Sequence, residues 1–114
     1  MDIRSLGETV SVEDSVVQLA FDLSGSEAGY LIISGPATSA VDNEAFFGSD
    51  HYVEVKDQLF GCYGAIQRLR VHNDRNLSVR LEMEVPGVGR DISIATANAM
   101  SGEMLDCLRK FERA

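Results

Sequence analysis

Histidine, cysteine and, through half of the chain, basic residues are scarce in this sequence. Its 114 residues include two histidines, His51 and His72, and two cysteines, Cys62 and Cys107. Two thiols in unlike contexts make no disulfide scaffold, and a chain that is 45% hydrophobic does not need one. A metal centre calls for three or four converging ligands, which two histidines and one nearby thiol do not supply. No apolar run approaches the roughly 20 residues of a membrane-spanning helix. The opening Met1-Asp2-Ile3-Arg4-Ser5-Leu6-Gly7-Glu8 has neither the basic nor the apolar segment of a secretory signal. The expected setting is therefore reducing and cytoplasmic, with both thiols free. In that setting the glycosylation sequon Asn76-Leu77-Ser78 is a chance match.

What is abundant is acid. Eighteen acidic residues against ten basic ones give a net charge of -8. Residues 1–60 carry 11 acidic side chains and, as bases, Arg4 and Lys56, whereas residues 61–114 carry 7 acids and 8 bases. Such a balance disfavours nucleic acid and anionic membranes as direct partners, since both demand a basic surface. The acids are densest between Asp42 and Asp57, where Asp42, Glu44, Asp50, Glu54 and Asp57 surround Phe46 and Phe47. A patch of this kind steers and accelerates the encounter with a basic protein. A solvated face and a catalytic carboxylate pair are the other readings of the same residues.

The hydrophobic pattern is that of strands. Leu77, Val79, Leu81, Met83 and Val85 alternate with Ser78, Arg80, Glu82 and Glu84, as in an antiparallel strand with one wet face. Val17, Leu19 and Phe21 share a face of a strand over 16–22, and Leu69 and Val71 share one over 65–71. A weaker strand is expected over 6–12, further strands over 51–56 and 91–96, and Tyr30-Leu31-Ile32-Ile33 reads as a strand buried on both faces. Ser24–Gly29, His72–Asn76 and Pro86–Gly89 are turn-rich connections. No clear period runs through 37–50, which is expected to be an ordered loop. At the end, Met104, Leu105, Leu108 and Phe111 form one helical stripe behind Ser101 as N-cap. The expected fold is α+β over residues 1–114 as a single domain. It has a curved antiparallel sheet of about six or seven strands packed against a C-terminal α-helix.

Catalytic motifs are sparse. Gly87-Val88-Gly89 lacks the third glycine and the following helix of a dinucleotide site. A nucleophilic cysteine needs an adjacent base, and a tight hairpin would bring His51 near Cys62. The simpler reading makes Cys62 a small packed hydrophobe and Tyr30, Tyr52 and Tyr63 core aromatics. The chain therefore reads as a non-enzyme without catalytic residues, cofactor or metal.

Three segments carry a family likeness: Tyr30-Leu31-Ile32-Ile33, His51-Tyr52-Val53-Glu54-Val55 and Gly61-Cys62-Tyr63-Gly64-Ala65-Ile66. In order and spacing the chain resembles, over about residues 10–111, the immunity protein 10 family of bacterial polymorphic toxin systems. A second glycine would be expected where Ala65 stands. The resemblance implies a non-enzymatic cytoplasmic bacterial protein that binds and neutralises a cognate toxin; its sequence leaves monomer and homodimer open. Its charge suggests that this toxin is basic, with a nuclease the first candidate. The candidate toxin-binding residues are Asp42, Glu44, Phe46, Phe47, Asp50, Glu54 and Asp57, and Cys62, Tyr63 and Gly64 form a structural motif in which the first two pack. An acidic secretion chaperone or adaptor holding an effector is the alternative, and a small enzyme using Cys62 or a carboxylate pair is the third.

Overall fold

A computed structural model describes residues 1–13, 16–36 and 51–111. Among them are nine strands and one helix. The core of the first sheet is the hairpin of β7 (Ile66–Asn73) and β8 (Asn76–Val85), closed by the two-residue turn Asp74-Arg75. As the alternation requires, Leu77, Val79, Leu81 and Val85 are buried, while Met83 is half-buried. In β7 the inward residues are Ile66 and Leu69, three apart rather than two, because the register shifts between Ile66 and Arg68. A one-residue bulge of this kind lets both apolar residues face the core.

β9 (Gly89–Ala95) pairs antiparallel with β8, burying Ile92 and Ile94. β1 (Asp2–Arg4) then lies parallel to β9, with Ile3 opposite Ile94. The first sheet thus has the order β1-β9-β8-β7. The second is antiparallel throughout: β2 (Gly7–Glu13), β3 (Val16–Leu23), β4 (Gly29–Pro36), β5 (Tyr52–Val55) and β6 (Asp57–Tyr63), in chain order. Its inward residues include Val17, Leu19, Phe21, Leu23, Leu31, Ile33, Val53 and Val55, each 3% exposed or less. At about 1.5–3 kcal/mol for each large apolar side chain removed from water, this shared core is the main source of stability.

The chain passes between the sheets at both margins: from β1 into β2 and from β6 into β7, each an edge strand. Backbone bonds close both corners. Ser5 N–H donates to Ala95 O at 2.8 Å and Leu6 N–H to Asp22 O at 2.8 Å, while Glu82 N–H donates to Ala65 O at 2.7 Å. The Glu8 carboxylate reinforces the first corner, accepting from Ser5 Oγ at 2.7 Å and from Ala97 N at 3.1 Å.

The helix α1 (Gly102–Phe111) begins where expected: Ser101 Oγ accepts the Met104 N–H at 3.1 Å. Met104, Leu108 and Phe111 are buried and Leu105 is half-buried. Met100 N–H donates to Asp74 O at 2.6 Å, so the helix starts beside the β7–β8 turn. It ends with Phe111 against His51, at a ring-centroid distance of 4.5 Å, where β4 finishes and β5 begins. Gly35 makes that approach possible. A Cβ there would stand 2.4 Å from His51 Cδ2 and 3.0 Å from Phe111 Cζ.

The described residues are therefore mostly β with one C-terminal helix, consistent with the α+β class. The expectation of one curved sheet of six or seven strands is corrected, among the described residues, to nine strands in two sheets. The helix, expected to pack against the sheet, lies against β7 and runs from the β7–β8 turn of one sheet to the β4–β5 end of the other. The strand at Tyr30–Ile33, expected to be buried on both faces, buries Leu31 and Ile33 but leaves Tyr30 and Ile32 partly exposed. No helix among the described residues is long and apolar enough to cross a membrane.

Candidate functional site

The register of β3, β4, β5 and β6 decides which side chains share the outer face of the second sheet. Ile32 sits opposite both Ala20 and Glu54, Ser34 opposite Gln18 and Tyr52, and Tyr52 opposite Tyr63. Side chains alternate along each strand, and Tyr30, Tyr52 and Glu54 therefore converge on that face. Both oxygens of the Glu54 carboxylate are engaged. The Tyr30 hydroxyl donates to Oε2 and the Tyr52 hydroxyl to Oε1. Glu54 is 9% exposed, so a charge that would be costly alone is held by two hydrogen bonds.

The same bonds act back on the phenols. Donation to Glu54, then burial and the carboxylate's charge, push both Tyr30 and Tyr52 up from 10.0 to about 12. The two tyrosines thus remain neutral donors across the physiological range, with their rings fixed. Tyr63, 65% exposed on the edge strand, leans on Tyr52 with ring centroids 5.1 Å apart and planes at 58°. Such tilted pairs add about 0.5–1.5 kcal/mol beyond burial.

Two shallow grooves flank this cluster. One, of about 420 Å3, runs past Thr9, Ala20, Asp22, Tyr30 and Ile32. The other, of about 190 Å3, lies between Val16, Gln18, Ser34, Tyr52 and Tyr63. Next to them the chain turns from β5 to β6 on Lys56, which holds the left-handed φ of 69°. A side chain at such a φ costs about 1–2 kcal/mol. Here it is tied down by Lys56 N–H to Tyr30 O at 3.3 Å and Lys56 Nζ to Pro86 O at 2.9 Å. Asp57 follows, exposed, its Oδ1 accepting the Leu59 N–H at 3.0 Å.

The seven candidate binding residues fare differently. Asp42, Glu44, Phe46, Phe47 and Asp50 lie outside the described residues. Asp57 is at the surface. Glu54, expected as an anion displayed to solvent, is instead the buried acceptor that orders two tyrosines. Gly64 has a φ of 71°, and its N–H donates to His51 O at 3.0 Å. Cys62 and Tyr63 do not pack as expected: both are exposed, and the Cys62 thiol donates to the Tyr63 carbonyl at 3.3 Å. An edge strand has a neighbour on one side alone, which explains their exposure. The His51 ring stands against Phe111 and beside Gly35. Among the described residues no three His, Cys, Asp or Glu side chains converge so as to hold a metal ion.

The tyrosines are what residue-by-residue reading missed, having taken them for core. Tyr52 and Glu54 stand two apart, which on a strand places them on one face, and that signal was legible. Tyr30 joins them only through the β4–β5 register. Compared with known proteins, the chain matches no family model, no curated protein and no solved structure.

Proposed function

We propose that this protein is a non-enzymatic immunity protein that binds a cognate bacterial toxin domain and blocks it by occlusion, acting in the cytoplasm of the cell it protects. The observation that carries this reading is the outer face of the second sheet. Tyr30 and Tyr52 are locked on one buried carboxylate, and Tyr63 stands exposed against them. Fixed tyrosines make good binding anchors, because they bring a large contact area and lose little conformational freedom on association. The acidic excess of the chain supports a basic toxin, and a nuclease fits best, since its phosphate-binding groove is the surface an acidic inhibitor would cover. Charge then speeds encounter and the aromatic anchors slow release.

The test is co-expression with the product of the adjacent toxin gene. The reading expects a complex that survives gel filtration and rescued growth of the host. Absence of both would overturn it.

A further inference from the structure

The smaller groove on this face has a chemistry of its own. It is bounded by Val16, Gln18, Ser34, Tyr52 and Tyr63 and holds about 190 Å3. Tyr63 offers it an exposed ring, and Gln18 and Ser34 bring polar side chains from β3 and β4. The Tyr52 hydroxyl is bonded in turn to the Glu54 carboxylate, which stands one residue pair further along the sheet, opposite Ile32. Buried carboxylates are usually paired with a cation. Among the described residues the one ion pair is Arg80–Asp91, at 2.6 Å on the other sheet. Among the described residues the Glu54 carboxylate is therefore met by neutral phenols alone, which leaves its charge open to a cation brought by a partner.

We propose that this groove is a subsite for an arginine side chain of the partner. The guanidinium would stack on Tyr63, donate to Gln18, Ser34 and the Tyr52 hydroxyl oxygen, and feel the charge of Glu54 through that hydroxyl. A planar fork with several donors suits a shallow aromatic groove with separated acceptors better than the compact, strongly hydrated ammonium of lysine. The inference deepens the proposed function and rests on it for the source of the arginine; the recognition itself is a property of the isolated protein.

It is tested by NMR titration of the whole chain with the capped tripeptide Gly-Arg-Gly and with its lysine and norleucine counterparts. The expected result is saturable shifts at Gln18, Ser34, Tyr52 and Tyr63, with arginine about fivefold tighter than lysine and norleucine silent. Glu54→Gln should weaken arginine binding about fivefold or more. Tyr63→Ala should do likewise, and because Tyr63 is exposed that variant folds even if Glu54→Gln does not. Equal binding of arginine and lysine, shifts scattered over the acidic surface, or unchanged binding by Tyr63→Ala would overturn the proposal. Arginine-selective binding without growth rescue would keep the subsite and remove the toxin. Rescue without arginine selectivity would do the reverse.

Discussion

Replacing Gly35 with alanine tests the packing that sets the position of β5, and with it Tyr52 and Glu54. The added methyl would lie 2.4 Å from His51 Cδ2, 3.1 Å from His51 Nε2 and 3.0 Å from Phe111 Cζ. Carbon atoms pack at roughly 3.5–4.0 Å, so the His51 ring must withdraw by about 1 Å. It is backed by Phe111, which is 3% exposed and itself part of the core. Forcing a methyl into such a site costs about 2–3 kcal/mol. The lost freedom of the unfolded glycine returns about 0.4–1 kcal/mol. The net expectation is a loss of about 1–2.6 kcal/mol, or a fall in Tm of roughly 4–11 °C for a chain of this size. Urea unfolding followed by circular dichroism measures it. Gly25→Ala serves as control, since nothing lies within 4 Å of its added Cβ. A double-mutant cycle with His51→Ala should recover most of the loss, because the space taken by the ring is vacated. If Gly35→Ala were as stable as the parent within about 0.5 kcal/mol, or if the cycle showed no coupling, the packing argument would be wrong.

Three further expectations follow from local geometry. Tyr30 and Tyr52 should ionise near pH 12 in an absorbance titration, and Glu54→Gln should return both toward 10.0. Because the folded values lie above the unfolded one, their stabilisation is complete below pH 10 and is lost as pH rises through 12; stability lost instead on acidifying toward pH 10 would contradict the assignment. Glu8→Ala should destabilise the protein by about 0.5–1.5 kcal/mol, since it removes the acceptor of Ala97 N and one of the two acceptors of Ser5 Oγ at the β1–β2 corner. In native protein a thiol reagent should modify Cys62 quickly and Cys107 slowly, matching their exposed and half-buried positions, and Cys62→Ser should remove the fast phase.

Local pattern carried much of the fold. The strict alternation of Leu77–Val85 and the inward set Val17, Leu19 and Phe21 were readable because one face of each strand is wet and the other dry. The helix was readable through its cap and its apolar stripe. The division into two sheets was not, because it depends on which edges meet. β1 is three residues long with one buried side chain, and its parallel partner is about ninety residues away. No periodicity encodes such a contact. Met83 is half-buried beside a register shift between Arg80 and Val85, a local irregularity that alternation does not announce.

The candidate site was legible in kind more than in place. Reading charge by counting made Glu54 a displayed anion. Its neighbours Tyr30 and Tyr52 convert it into an internal acceptor, and that conversion follows from cross-strand register. Tyr63 and Cys62 were assigned to the core because such residues are usually buried, but on an edge strand half the environment is solvent.

On the proposed function, the tyrosine face of the second sheet is the surface that neutralises a toxin. The most direct measurement is host growth with the adjacent toxin gene expressed beside either the parent protein or a Tyr52→Ala, Tyr63→Ala double variant shown to be folded by circular dichroism. Growth with the parent and arrest with the folded variant is the predicted result. Arrest with both, or undiminished growth with the variant, would contradict it.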